Sequence, residues 1–198
     1  MLFRSGVLNI IVSESYKVLI GKDCMFSFNC WIRNSDVHLI YDENNNRINY
    51  SKNIIIGDHV WVGQNVSILK GSYVGSGSVI GLGSVITKKI TSNDIYAGNP
   101  CKRVRENIFW DRQSTHFFTE EETSSNDKFF DDATLYKFDK KNNLNEWISI
   151  SEKTLVDLNE DLITRYVVEI CELEPLTVYE ASKKTLKEKI SKLFKRGK

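Results

Sequence analysis

Between Ile56 and Ile86 a branched aliphatic residue returns at every sixth position: Ile56, Val62, Ile68, Val74, Ile80 and Ile86. The next residue is Gly at 57, 63, 75 and 81, with Leu69 and Thr87 as exceptions. Four places after each aliphatic stand Val60, Val66, Ser72, Ser78, Ser84 and Ile90, all small or β-branched. An amphipathic helix repeats about every 3.6 residues and a half-buried strand about every 2, so neither keeps one residue class at a strict six. A three-sided coil does. Three short strands make a turn of about 18 residues, each strand turns a large and a small side chain inward, and the Gly is expected to let the backbone bend at the corner. Stacked turns then bury a continuous aliphatic column, as in a solenoid.

The count continues upstream through Ile20-Gly21, Phe26 and Ile32, with Cys24 and Cys30 in the small slot. From Ile32 to Ile56 the interval is 24, still a multiple of six. Yet this interval contains Asp42-Glu43-Asn44-Asn45-Asn46, which cannot sit in an aliphatic column. The chain is therefore expected to leave the coil as a loop over about residues 33–53 and return near Asn53. Loops held on a rigid scaffold are where function concentrates.

Charge and glycine mark a boundary. Residues 1–108 carry 12 Lys/Arg against 8 Asp/Glu, a net of +4; residues 109–182 carry 7 against 17, a net of −10; residues 183–198 carry 8 against 1, a net of +7. Eight of the eleven glycines fall between 57 and 98. A coil domain over 1–108 and an extension over 109–198 follow. The overall charge of +1 argues against nucleic acid as a partner bound by bulk charge. No apolar run approaches the roughly 18 residues of a membrane helix. Met1 to Val12 shows no cleavage site and reads as part of the fold, so a cytoplasmic protein is expected. The four cysteines form no CxxC pair and have no His at zinc-ligand spacing; buried, reduced thiols and no metal are expected.

The stretches SDVHLIYD at 35–42, RIN at 47–49, IIIGDHVWVGQNVSILKG at 54–71, GSVIGLGSVITKKI at 77–90 and AGNPCKRVRENIFW at 97–110 resemble the hexapeptide-repeat acyltransferases. Within that family the likeness is to bacterial O-acetyltransferases of sugars and capsular polysaccharides such as polysialic acid. It spans about residues 18–110. The resemblance implies a mainly β chain, a left-handed parallel β-helix with a C-terminal α+β or helical extension. It also implies a homotrimer with acetyl-CoA in the groove between neighbours and a saccharide hydroxyl as acceptor.

A His on the loop before the WVG coil is the family's general base, and the matching residue is His38. A thioester already has a good leaving group, so removing the hydroxyl proton suffices for direct attack. Imidazole titrates at about 6.5, and such a base contributes about 10²–10⁴-fold. The bland alternative is a solvated loop histidine. The resemblance places Trp61 with His38 at the catalytic centre, lining the acceptor and CoA groove, with packing at the trimer contact as the alternative, and Gln64, Leu82, Gly83, Thr87, Lys88, Lys102 and Arg105 toward the CoA. Leu82 departs from the small residue usual there. The loop residues Asp36, Tyr41, Asp42 and Arg47 are expected to meet the acceptor, Asp36 or Asp42 also being candidates to orient the imidazole. His59 is expected on the surface and His116 has no matched role.

Beyond Trp110 residues 111–133 read as irregular, 135–138 and 146–150 as a hairpin across KKNN, and Leu155 to Cys171 as a helix. Past Pro175 a basic amphipathic helix is expected to dock on its own or a neighbouring subunit, with weak membrane or glycan contact as the alternative. Two rivals to O-acetylation stay open. One is N-acetylation of an amino sugar or antibiotic, and the other is a scaffold without catalysis.

Overall fold

The computed structural model describes residues 7–140 and two further strands, Val167–Val168 and Leu176–Thr177. The described chain winds into a three-sided parallel β-helix. Its first face stacks Leu8–Ile11, Cys30–Arg33, Ser67–Leu69 and Val85–Ile86. The second stacks Val18–Ile20, Ile54–Ile56, Tyr73–Val74 and Lys89–Ile90. The third stacks Met25–Phe26, Trp61–Val62, Val79–Ile80 and Ile95–Ala97. Antiparallel strands close some margins: Leu176–Thr177 on Leu8–Ile11, Val167–Val168 on Val18–Ile20, and Lys102–Arg105 on Ile95–Ala97.

The six-residue period becomes three columns in which each inward residue pairs with its counterpart on the next turn. They are Ile10–Ile32–Ile68–Ile86, Ile20–Ile56–Val74–Ile90 and Phe26–Val62–Ile80–Tyr96. Every member is buried. At about 25 cal/mol per Å² of apolar surface, filling these columns is the main drive for folding. The small slots are buried as well, and their polar atoms are used. The Cys24 and Cys30 thiols face the carbonyls of Gly57 and Gly63 at 3.1 and 3.2 Å, and the Ser72, Ser78 and Ser84 hydroxyls donate to Ile86, Gly75 and Gly81. Burial pushes the Cys24 thiol up to about 12 and raises Cys30 and Cys101. These three cysteines are free, as expected; Cys171 lies outside the described residues.

Two expectations about the repeat are corrected. The left-handed corner is not the Gly after each aliphatic but the residue two places further on: Asp23, Asn29, His59, Asn65, Gly71, Gly77 and Gly83 all have φ between 52° and 76°. Asn, Asp, His and Gly are the residues that tolerate that region best. The Gly after the aliphatic is there for space. A Cβ on Gly57 would stand 2.4 Å from the Ser76 hydroxyl and 2.7 Å from its backbone N. The second correction is Ile90, which fills a large inward slot above Val74 because the coil drops two residues after Ile86.

The chain after the coil lies along the edge between the second and third faces. Asn107 N–H donates to Asp94 and Ile108 N–H to the Asn93 carbonyl. Trp110 meets His59, and Arg112 reaches the Asp23 carboxylate at 2.9 Å. Tyr136 and Phe138 then return to the Asn93 side chain at 2.6 and 2.7 Å, and Lys140 pairs with the buried Asp94. Burial pushes the Asp94 carboxyl up, but the Lys140 ammonium, the Thr91 hydroxyl and the Asn107 N–H outweigh it, leaving it below the usual range.

This strap overturns several readings. His59 is buried, its ring stacked on Trp110 at 4.1 Å and on Tyr136 at 4.7 Å, and not a surface residue. Glu120–Ser125 is a helix, with Thr119 and Glu122 forming a reciprocal cap, where irregular chain was expected. Ala133–Tyr136 is a 3₁₀ turn capped by Asp132, and not a hairpin strand, because Phe138 N–H is engaged by Asn93. Val167–Val168 is a strand, so the expected helix does not run unbroken to Cys171; two adjacent β-branched residues suit the ladder better. The second hairpin strand and the basic terminal helix lie outside the described residues. Among the described residues no helix is long and apolar enough to cross a membrane.

The two kinds of glycine should respond differently to a methyl group. Gly57→Ala drives a Cβ into the next turn and should lower stability by about 3 kcal/mol. Gly83→Ala has nothing within 4 Å and carries only left-handed strain, about 1–2 kcal/mol. Urea midpoints compare them, and equal shifts would refute the spacing argument.

Candidate functional site

The coil keeps its step of six at every crossing from the second face to the third and from the third to the first. Departures fall on the edge between the first and second faces. There the inward residues are separated by 10 (Ile10 to Ile20), 24 (Ile32 to Ile56) and 4 (Ile86 to Ile90), with only Ile68 to Val74 regular. The middle departure adds 18 residues to the normal six, which is one whole turn extruded as an arm. A packed repeat gains nothing from such breaks, so their confinement to one edge singles it out.

The arm is anchored to the first break. Arg47 pairs with Glu14 and lies over the Tyr50 ring, and Glu14 also accepts from the Ser51 N–H and hydroxyl. The Arg47 guanidinium, followed by Ser51, holds the Glu14 carboxyl down to about 2. At the tip, Asp42 accepts the N–H groups of Asn44 and Asn46 at 2.9 and 2.8 Å, and Tyr41 forms an antiparallel bridge with Arg47. Those N–H groups lower the Asp42 carboxyl.

His38 sits where the arm departs. Its N–H donates to the Asp36 carbonyl at 2.8 Å across Val37, whose φ is +70°. A β-branched residue in that region is a strained outlier, and such strain clusters at functional sites. Asn49, itself buried, grips the backbone that follows: its amide donates to the His38 carbonyl at 2.6 Å and accepts from Ile40 N–H at 2.9 Å. The His38 side chain is exposed, and no hydrogen bond to its ring is made among the described residues. Neither Asp36 nor Asp42 orients it within one copy. Asp36 pairs with Lys70, which lowers its carboxyl. Asn49 was missed as a site residue, although it closes the RIN motif.

Beside the arm a groove of about 420 Å³ is lined by Arg33, Ser35, Asp36, Leu69, Lys70 and Thr87. One edge thus gathers Asp36, His38, Tyr41, Asp42, Arg47, Thr87 and Lys88. The other expected residues lie elsewhere. Gln64, Leu82 and Gly83 stack on the edge between the third and first faces, where Gly83 N–H donates to the Gln64 carbonyl. Trp61 starts a third-face strand, and Lys102 and Arg105 lie on that face's outermost strand. Lys88, Lys102 and Arg105 are exposed and make no ion pair among the described residues. Six large apolar side chains of the arm, Val37, Leu39, Ile40, Tyr41, Ile48 and Tyr50, are 48–59% exposed.

Residues 53–88 match the family described as bacterial transferase hexapeptide (six repeats). With its three-sided coil the described chain is a left-handed parallel β-helix of hexapeptide repeats. The chain is similar to the polysialic acid O-acetyltransferase of Neisseria meningitidis, 47% identical over 133 residues that cover 66% of this chain and 57% of the relative. It is similar also to the polysialic acid O-acetyltransferase of Escherichia coli O1:K1 / APEC, 52% identical over 103 residues that cover 52% and 34%. The solved structure of the polySia specific acetyltransferase NeuO superposes with a TM-score of 0.54 at 42% identity, over 62% of this chain and 58% of that one. The chain therefore spans roughly a third to just over half of the curated relatives it matches.

The Glu14 anchor should show in acid. Because its carboxyl is lowered from 4.5 to about 2 in the folded arm, its contribution is complete above pH 4.5 and lost as pH falls toward 2. Hydrogen exchange at the Ser51 amide should lose protection through that window in the parent protein. In Glu14→Gln it should be weakly protected at every pH; a parental profile there would remove the anchor.

Proposed function

We propose that this chain is an acetyl-CoA-dependent O-acetyltransferase acting on a hydroxyl of a bacterial surface polysaccharide or its precursor. The observation that carries the reading is the single irregular edge, which holds an Asn49-clamped His38, next to the strained Val37, beside a groove with Arg33, Lys70 and Thr87. The similarity to polysialic acid O-acetyltransferases supports the reaction class and the kind of acceptor.

His38 accepts the proton of the acceptor hydroxyl as the oxygen attacks. An acetyl thioester supplies an activated acyl group with a leaving group that needs little help. Fixing the backbone beside His38 keeps the base in place, and positioning of this kind is worth several kcal/mol. The exposed cations Lys88, Lys102 and Arg105 suit the phosphates of CoA. The exposed edge at Leu82 and Gly83 has room for an extended arm, since a Cβ on Gly83 meets no atom within 4 Å.

Gln64, Leu82 and Gly83 are not on the His38 edge, so a groove using both sets forms between copies, and a homotrimer is the assembly proposed. The apolar arm residues suit burial against that neighbour. Replacing His38 by Ala should lower transfer to a polysialic acid acceptor by about two orders of magnitude or more while CoA binding by calorimetry stays at the parental value. Unchanged turnover would remove His38 from the chemistry.

A further inference from the structure

The family resemblance puts Trp61 in the wall of the groove; it is 40% exposed on the third face, and its ladder neighbours are Met25 and Val79. Its ring partner among the described residues is Trp110, with centroids 5.8 Å apart at 48°. Trp110 comes from the strap, 49 positions further along, and it is held from several directions. Its indole N–H donates to the His59 carbonyl at 2.9 Å, and its own carbonyl faces His59 Nε2 at 3.0 Å. Its ring stacks on the His59 imidazole with 10° between planes, and the Arg112 guanidinium lies 5.6 Å from it.

His59 is equally constrained. Nδ1 meets the Asp23 carboxylate at 2.6 Å, Nε2 meets the Trp110 carbonyl, and the ring is sandwiched between Trp110 and Tyr136. It occupies a left-handed corner where equivalent turns use Asn, Asp or Gly. The corner needs only a residue tolerant of positive φ, so an imidazole is more than the coil requires. What it adds is the stack that holds Trp110, two residues ahead of Trp61.

We propose that Trp110, fixed by His59, is a positioning residue for Trp61, so that strap residues 107–112 form part of the wall of the acetyl-transfer groove. This rests on the transferase reading given above. Trp61 alone on an open face would rotate among its rotamers and be ordered only when a ligand arrives. With Trp110 against it the ring is set beforehand, and the ordering loss on binding is avoided.

The test uses the full chain with Trp110→Ala, Trp110→Phe and His59→Asn, and Phe138→Ala as a control that loosens the strap at the Gly77 corner. Trp110→Ala should raise KM for acetyl-CoA about three- to tenfold, the scale of ordering one side chain on binding, with a smaller change in kcat. Trp110→Phe should restore most of it. The coupled circular-dichroism band of the two indoles should vanish in both. His59→Asn keeps the left-handed corner and should raise KM in the same direction, which preserves the test if Trp110→Ala does not fold. Phe138→Ala should lower the melting temperature while leaving both constants within about twofold of the parent.

Parental constants in Trp110→Ala overturn the inference. So does a Phe138→Ala protein that reproduces the kinetic change at equal loss of melting temperature, since the strap would then act through stability alone. A parent that neither binds CoA by calorimetry nor transfers acetyl sinks the transferase reading and this inference with it. A parent that does both, beside an unaltered Trp110→Ala, sinks this inference alone.

Discussion

Turn sits on turn at the spacing of a β-ladder, about 4.8 Å, and that closeness governs the rest of the molecule. At this distance each inward aliphatic rests on its counterpart, as the buried Ile56 does between Ile20 and Val74. It also leaves no room for a side chain at Gly57 or Gly75, whose Cβ atoms would fall within 2.5 Å of the neighbouring turn. The Ser78 and Ser84 hydroxyls admitted to the column each donate to a carbonyl, of Gly75 and Gly81.

A scaffold so regular makes its own irregularities informative. Two of its three edges repeat without error, and the third carries an insertion, an extruded turn and a deletion. These breaks are supported by specific contacts: Glu14 receives the arm through Arg47 and Ser51, Asp42 folds its tip, and Asn49 fixes the backbone of His38. The strap uses a different edge and binds its left-handed corners, so the arm remains free for chemistry or for a neighbour.

The columns were legible from the sequence because one residue class fills one slot, and burial tolerates few substitutes. The corners were harder to locate. Asp23, Asn29, His59, Asn65 and Gly71 share a backbone angle and no obvious chemistry, whereas the Gly at 57, 63, 75 and 81 is uniform and so stands out in the sequence as the corner. His38 could be picked out by where the repeat fails and by likeness to a family. His59 could not, because its partners Trp110 and Tyr136 lie 51 and 77 residues away and a polar corner residue looks solvated. Asn49 was visible within RIN, yet nothing local says that its amide serves the backbone of a residue eleven places earlier. The cap at Thr119 and Glu122 has the spacing of a capping box, but the acidic run around it lacks the apolar face that marks a helix in sequence.

The antiparallel strands at the margins have a consequence for solubility. Among the described residues, the first and second faces are closed at the start of the coil and open at its finish, whereas the third is open at the start and closed at the finish. No face offers a bare ladder at both ends. Were one molecule set on top of another in line, an unpaired rung would always confront a finished one. A solenoid is otherwise an ideal seed for endless filaments, and an antiparallel strand at one end of each face breaks the parallel register that head-to-tail growth would have to continue.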